Sequence, residues 1–235
     1  MLGKPALYRR HMRDQSTPGR PDSLLMLDVG GVLLSNIFGP QWWKRLAQRS
    51  GRPAAELEQI FTTDLKPPLW TGAMSPSEFW RRLATAVAPG ISGFPQQLKR
   101  ELANDLRPLP AISRVAEWAR RVHVGLLSNH VSEWLEPHIV GFGLRDACDF
   151  ILVSDRTGLR KPDHRAFQHA LDHWQMPSNT ILYADDNKAN LAVASEMGMP
   201  TLLVTPSGRW EKHVDNWIEQ QSRKHSRDGP FGKNS

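Results

Sequence analysis

Apolar and polar positions alternate in a regular way along this chain from residue 24 to residue 204. Predominantly apolar runs of strand length occupy 24–29, 122–127, 150–153, 180–184 and 201–204, the pattern of strands covered on both faces. Between the later runs, 112–121, 131–140, 163–174 and 188–197 place apolar residues at helical spacing. Strand, helix, strand, helix predicts an α/β fold with a parallel sheet and right-handed crossovers. Ligands are then taken at the carboxyl ends of the strands.

Residues 39–107 depart from that rhythm. The stretches Q-W-W-K-R-L-A-Q-R-S, A-A-E-L-E-Q-I-F, S-P-S-E-F-W-R-R-L-A-T-A-V and F-P-Q-Q-L-K-R-E-L-A-N-D-L are helical in period, and Ser75-Pro76 offers a cap followed by a first-turn proline. The expected organisation is an α/β core of 23–38 and 108–208, with a small all-helical cap of 39–107 inserted after the first strand, over the sheet's ligand-binding edge. Residues 1–22 and 209–235 are polar and poor in periodic apolar positions, so both are expected to be disordered or loosely attached tails.

Composition adds limits. A chain of 235 residues with 40% hydrophobic content can bury one sizeable core and a smaller insert. No apolar run approaches the roughly 18–20 residues of a membrane-spanning helix, and the first residues lack a signal peptide's apolar stretch, which predicts a cytoplasmic protein with no membrane partner. The net charge of +6 sits mostly at the ends, +3 in 1–22 and +2 in 209–235, leaving about +1 for the body. Without a folded basic face or interleaved aromatics, a nucleic-acid partner is not expected. Cys148, the single cysteine, has neither metal ligands nor a nucleophile's partners around it in D-A-C-D-F, and a packed thiol is expected.

Four polar clusters end or follow predicted strands: Asp28; Ser128-Asn129-His130; Lys161 in G-L-R-K-P-D; and Asp185-Asp186, with Asn190 four residues beyond. In a parallel sheet these strand ends converge, bringing an acid, a hydroxyl, an ammonium and an acid pair to one mouth. Such a set suits a phosphate group with a divalent cation. A carboxylate can attack phosphorus once Mg²⁺ and a fixed lysine neutralise the repulsion between anions. Asp28 and Asp186 would supply carboxylates to the metal, while a serine hydroxyl and a backbone N–H hold phosphoryl oxygens. Taken singly, each cluster also reads as a turn or helix cap. It is their convergence that points to a site.

The motifs D-V-G-G-V-L, L-S-N, R-K-P-D and Y-A-D-D-N-K-A-N-L resemble, in order and spacing, the four motifs of the haloacid dehalogenase superfamily, over residues 24–204. Within it they most resemble the α-D-glucose-1-phosphate phosphatases and the phosphatase domain of soluble epoxide hydrolases, whose small helical cap also follows the first motif. The resemblance implies a Rossmann-like parallel-sheet core and an Mg²⁺-dependent phosphatase acting on a small phosphorylated metabolite, as monomer or homodimer. Asp28 would be the nucleophile that forms an aspartyl-phosphate, and Asp186, with the Gly30 carbonyl, would hold the metal. Asp185 and Asn190 would orient metal-bound water and the lysine, and Ser128, the Asn129 backbone, Lys161 and the Gly30-Gly31 turn would grip phosphate.

The departure is Gly30, where most phosphatases of the superfamily carry a second aspartate that protonates the leaving alcohol. A positioned acid contributes about 10² to 10⁴ in rate. Three accounts compete: a substrate whose leaving group needs little protonation, such as an anomeric phosphate; a proton from elsewhere, His130 being the nearest candidate by sequence; or a binding protein that no longer turns over. A dehalogenase reading is disfavoured by the Asp185-Asp186 pair. A phosphonate-cleaving reading would need a cap lysine at the site, and Lys44, Lys66 and Lys99 are expected to be solvated. Trp42, Trp43, Trp70 and Trp80 fall in the cap, where packing is expected ahead of pocket lining.

Overall fold

A computed structural model describes residues 8–9, 20–88, 93–206 and 209–228 of the chain. Six strands form one sheet, β1 (Tyr8–Arg9), β2 (Leu24–Leu27), β3 (His123–Ser128), β4 (Phe150–Val153), β5 (Ile181–Asp185) and β6 (Thr201–Leu203), in the order β1-β4-β3-β2-β5-β6. The strands β2 to β6 run parallel, and β1 pairs antiparallel with β4, Tyr8 opposite Ile151. The central strand β2 has Val124 on one side of Leu25 and Leu182 on the other. From β2 the chain winds outward through β3 and β4, then returns to β2's other side as β5. The carboxyl ends of β2 and β5 therefore flank the switch point at which such sheets open a crevice.

The two faces of β2 bury different clusters, as alternation along a strand requires. Leu25 and Leu27 join the larger one, while Leu24 and Met26 join a smaller one with Phe167 and Tyr183. Between β2 and β3 the chain is helical: α1 (Pro40–Ser50), α2 (Ala54–Ile60), a π-helical turn Phe61–Leu65, α3 (Lys66–Trp70), α4 (Pro76–Val87) and α5 (Phe94–Asp105). Ser75 caps α4 by accepting the Glu78 backbone N–H, with Pro76 in the first turn. Phe38 sits at the centre of an aromatic cluster that ties these helices to the core. Its ring centroid is 4.6 Å from Phe61, 5.7 Å from Phe79 and 6.0 Å from Trp134. At the turn after α3, Gly72 has φ +69° and a Cβ there would lie 2.0 Å from the Asp155 carbonyl oxygen, so this close approach to the core admits only glycine.

The remaining helices are α6 (Val115–Ala119), α7 (Ser132–Gly141), α8 (Leu144–Ala147), α9 (Ser154–Thr157), α10 (His164–Trp174), α11 (Lys188–Glu196) and α12 (Trp210–Asp228). The last of these corrects the expectation of a loose tail over the described part of 209–235, and residues 229–235 lie outside the described residues. Trp210, Val214 and Ile218, spaced four apart, are buried in the larger cluster, and Asp215 accepts hydrogen bonds from Trp118 Nε1 (2.9 Å) and Arg114 Nη2 (3.0 Å). A narrow i, i+4 stripe suffices to dock a helix whose other faces are charged, and average polarity hides it. At the other end, Tyr8–Arg9 extends the sheet and Arg20 lies 3.7 Å from Asp149, so these positions of 1–22 are attached to the core. The rest of that expected tail, apart from 20–22, lies outside the described residues. Cys148 is buried and unpaired, and burial pushes its thiol up. No helix among the described residues is long and apolar enough to cross a membrane.

Candidate active site

Asp28 leaves the carboxyl end of β2 and accepts the Val29 N–H at 2.7 Å, with the Lys161 ammonium 2.8 Å from the same oxygen. Burial raises its pKa from 3.8 to about 7, an effect that Lys161 opposes and the neighbouring Asp185 reinforces. Lys161 is 2% exposed, and its backbone is clamped by the Asn129 side chain: Asn129 Nδ2 donates to the Lys161 carbonyl (2.7 Å) and Lys161 N–H donates to Asn129 Oδ1 (2.8 Å). The ammonium also donates to Asp185 Oδ2 and to the Tyr183 hydroxyl, both at 2.9 Å.

Asp185, at the end of β5, is fully buried and engaged by the protein. Besides Lys161 it accepts from Asn190 Nδ2 (2.9 Å), the Asn187 N–H (2.7 Å) and the Tyr183 hydroxyl. Burial, with Asp28 and Asp185 beside it, holds the Tyr183 phenol well above its usual value, keeping it a neutral donor. Asp185 therefore fixes the lysine rather than offering free oxygens. Carboxylate oxygens of Asp28, Asp185 and Asp186 lie within 4.8 Å of one another. Asp28 and Asp186 are the two left open to a metal, and hard oxygen donors of this kind suit Mg²⁺. Asp186 is held by one hydrogen bond from Asn36 Nδ2 (2.8 Å). Gly31 makes room for it: φ is +72° and a Cβ would fall 2.0 Å from Asp186 Oδ2.

These groups border a cavity of about 250 Å³ walled on its far side by residues of the helical segment between β2 and β3. Of the residues expected from sequence, Asp28, Gly30, Asn129, His130, Lys161, Asp186 and Asn190 line it, while Gly31, Ser128 and Asp185 stand outside its wall. Ser128 is 2% exposed and its hydroxyl has no hydrogen-bond partner among the described residues, as is true of Asn190 Oδ1. His130 is buried between Trp70 and Trp134, and its Nδ1 lies 2.9 Å from the Val131 backbone nitrogen and 3.3 Å from the Val131 carbonyl oxygen. Burial lowers its pKa to about 4, so at neutral pH it is a neutral imidazole and not a cationic acid.

The helical side of the cavity departs from expectation at two points. Trp42 and Trp80 are packing residues, but Trp43 and Trp70 line the cavity together with Phe38 and Phe61. Lys66, expected to be solvated like Lys44 and Lys99, is half-buried on the cavity wall; Lys99 instead pairs with Glu133 on the surface at 2.7 Å. The π-helical turn brings this about. Its widened i→i+5 bond runs from Lys66 N–H to the Phe61 carbonyl, and Phe61, Thr62 and Lys66 all reach the cavity. Sequence reasoning also missed Asn36, Tyr183 and the Asn187 backbone. Asn36 follows an apolar run in L-L-S-N, a visible signal, whereas Tyr183 is indistinguishable from any other strand residue.

A parallel sheet with paired acids and a lysine at its switch point defines a hydrolase of the haloacid dehalogenase type. Residues 81–204 match the family model for haloacid dehalogenase-like hydrolases, and the chain belongs to that family. It is 23% identical over 145 residues to pyrimidine 5'-nucleotidase YjjG of Escherichia coli (strain K12), a match covering 57% of this chain and 64% of that protein. The chain thus spans under two thirds of that relative. It is 23% identical over 194 residues to (S)-2-haloacid dehalogenase 4A of Burkholderia cepacia, covering 78% of this chain and 80% of the other. Its fold is similar to that of the HAD family enzyme BT-2542 of Bacteroides thetaiotaomicron, solved with magnesium and inorganic phosphate, with TM-score 0.69, 19% identity and coverage of 81% and 98%.

Proposed function

We propose that this protein is an Mg²⁺-dependent phosphatase that hydrolyses a small phosphate monoester, a sugar or sugar-like metabolite phosphate, through an aspartyl-phosphate on Asp28. The observation that carries the reading is the position of Asp28 at a cavity wall, in contact with Lys161 and within reach of a metal shared with Asp186. Mg²⁺ bound there supplies charge neutralisation for the approach of two anions. Asp28 Oδ attacks phosphorus and the ester P–O bond breaks, its electron pair leaving on the alcohol oxygen, which takes a proton. Water then attacks the same phosphorus, releasing inorganic phosphate and restoring the carboxylate. Lys161, held by Asp185 and Tyr183, balances the charge on the phosphoryl oxygens, and the unpartnered Ser128 hydroxyl is a donor for one of them.

Gly30 carries no acid, which favours substrates whose oxygen leaves with little help, anomeric phosphates among them. The cavity volume is below the roughly 300–1,000 Å³ of drug-sized ligand sites, in keeping with a small metabolite. The relatives include both a nucleotidase and a dehalogenase, and the adjacent acids Asp185 and Asp186, with the magnesium–phosphate complex of the similar structure, favour phosphoryl over carbon chemistry. The proposal places the protein in the cytoplasm, as monomer or homodimer. The missing acid also favours a second reading, a binding or scaffold protein that retains the site without turnover.

The deciding experiment measures phosphate release with and without Mg²⁺ from p-nitrophenyl phosphate, sugar phosphates and nucleotides, with Asp28→Asn as control. Mg²⁺-dependent release lost in the variant supports the phosphatase. Release no greater than the variant's background from every substrate refutes it in favour of the binding protein.

A further inference from the structure

Gly30 and Gly31 leave open the space that side chains would fill just beyond β2, and Asn36 reaches back into it. Its amide lies across both glycines: a Cβ on Gly30 would stand 3.0 Å from Asn36 Oδ1, and one on Gly31 2.8 Å from Asn36 Nδ2. Nδ2 donates to Asp186 Oδ2 at 2.8 Å, and the residue lines the cavity together with Asp28 and Gly30. An amide nitrogen carries two N–H bonds, so a second donor is left over, beside the place from which an acid at position 30 would meet the departing oxygen.

Ser128 aside, the side-chain donors expected of this site are engaged by the protein. Lys161 has three N–H bonds and three partners, Asp28 Oδ1 at 2.8 Å and both Asp185 Oδ2 and the Tyr183 hydroxyl at 2.9 Å. Asn129 uses both ends of its amide on the Lys161 backbone, and Asn190 Nδ2 donates to Asp185. His130, with its pKa lowered to about 4 by burial, is no acid at neutral pH.

Resting on the phosphatase reading, we propose that Asn36 is the leaving-group contact: its free amide N–H bonds the ester oxygen as the P–O bond breaks, in the place of the acid absent at Gly30. The electron pair of the broken bond goes to that oxygen, the proton that completes the alcohol comes from water, and the amide is unchanged. A hydrogen bond to an oxygen gaining charge contributes about tenfold, against about 10² to 10⁴ from a positioned acid. An amide there serves esters of acidic alcohols and of hemiacetals, and leaves simple alkyl esters slow.

The test is a leaving-group series of p-nitrophenyl, phenyl and ethyl phosphate, at Mg²⁺ concentrations that calorimetry shows to saturate each protein. Phosphate release is measured for the wild type, Asn36→Ala, Asn36→Leu, which keeps the shape of the side chain without its donors, and the surface control Lys99→Met. Asn36 is exposed at the cavity mouth, and a thermal melt checks that each variant is folded. In both Asn36 variants kcat/KM should fall about tenfold or more for phenyl and ethyl phosphate, and less than about threefold for p-nitrophenyl phosphate, whose leaving oxygen shares its charge with the ring. Lys99→Met should follow the wild type. A fall equal for all three esters, no fall, or wild-type turnover confined to p-nitrophenyl phosphate overturns the proposal and leaves the phosphatase reading standing. Weaker Mg²⁺ binding by the variants with an equal fall would make Asn36 a holder of Asp186 alone. No Mg²⁺-dependent release of any ester by the wild type removes the phosphatase reading and the leaving-group contact together.

Discussion

Asp28→Asn should have opposite effects on activity and on stability. The substitution removes the attacking carboxylate, so turnover falls to background. It also removes a charge that the fold holds at a cost. Asp28 has a folded-state pKa of about 7 against an ordinary 3.8, so between about pH 4 and 7 the folded protein keeps a proton that the unfolded chain has released. Stability from this group therefore declines as pH rises through that window and is flat above it. The difference of about 3 pKa units corresponds to roughly 4 kcal/mol at pH 8, and to about 2 kcal/mol at pH 5, before any loss from the imperfect fit of an amide. For a chain of this size roughly 2–4 °C accompany each kcal/mol. In EDTA, Asp28→Asn should melt several degrees above wild type at pH 8, with a smaller gap at pH 5. Excess Mg²⁺, which favours the ionised carboxylate, should narrow the pH 8 gap. The assay is differential scanning calorimetry across pH with and without the metal. A variant that melts at or below wild type at pH 8 in EDTA, or a gap that widens toward acid, would refute the burial argument.

At Gly30 a Cβ would meet Asn36 Oδ1 at 3.0 Å, so a side chain there requires Asn36 to give by a few tenths of an ångström. Gly30→Asp should raise turnover of alkyl phosphates by about 10²-fold or more, the ordinary contribution of a positioned acid, whereas Gly30→Ala should not; equal rates for the two would show that proton supply is not limiting. Gly31→Ala forces a Cβ into the Asp186 carboxylate at 2.0 Å and onto a φ of +72°, so Mg²⁺ affinity measured by calorimetry should fall about tenfold or more, and an unchanged affinity would remove Asp186 from the metal site. Ile218→Ala, which empties a fully buried position of α12, should cost about 2–4 kcal/mol in urea unfolding. A value near zero would return α12 to the status of a loose tail.

The parallel sheet was legible because buried strands are predominantly apolar runs, and their lengths and order alone imply crossovers and a common ligand-binding edge. Most of the catalytic candidates were legible for the same reason: Asp28, Ser128 and Asp185-Asp186 stand where such a run ends and the topology brings those ends together, while Lys161 comes eight residues after β4 ends at Val153. The helical character of Pro40–Asp105 was equally visible in its periodicity. Features that depend on neighbours distant in the chain were not. Tyr183 reads as one more strand residue until the fold sets its hydroxyl between Lys161 and Asp185, and α12 reads as polar until the core offers a groove for Trp210, Val214 and Ile218. Whether Lys66 meets solvent or the cavity depends on the register of a π-helical turn, which no local pattern encodes. A chain's own sequence records periodicity and the ends of its elements. The sharing of protons, the pairing of charges and the exposure of a side chain are decided by which residues the tertiary structure places within a few ångströms of it.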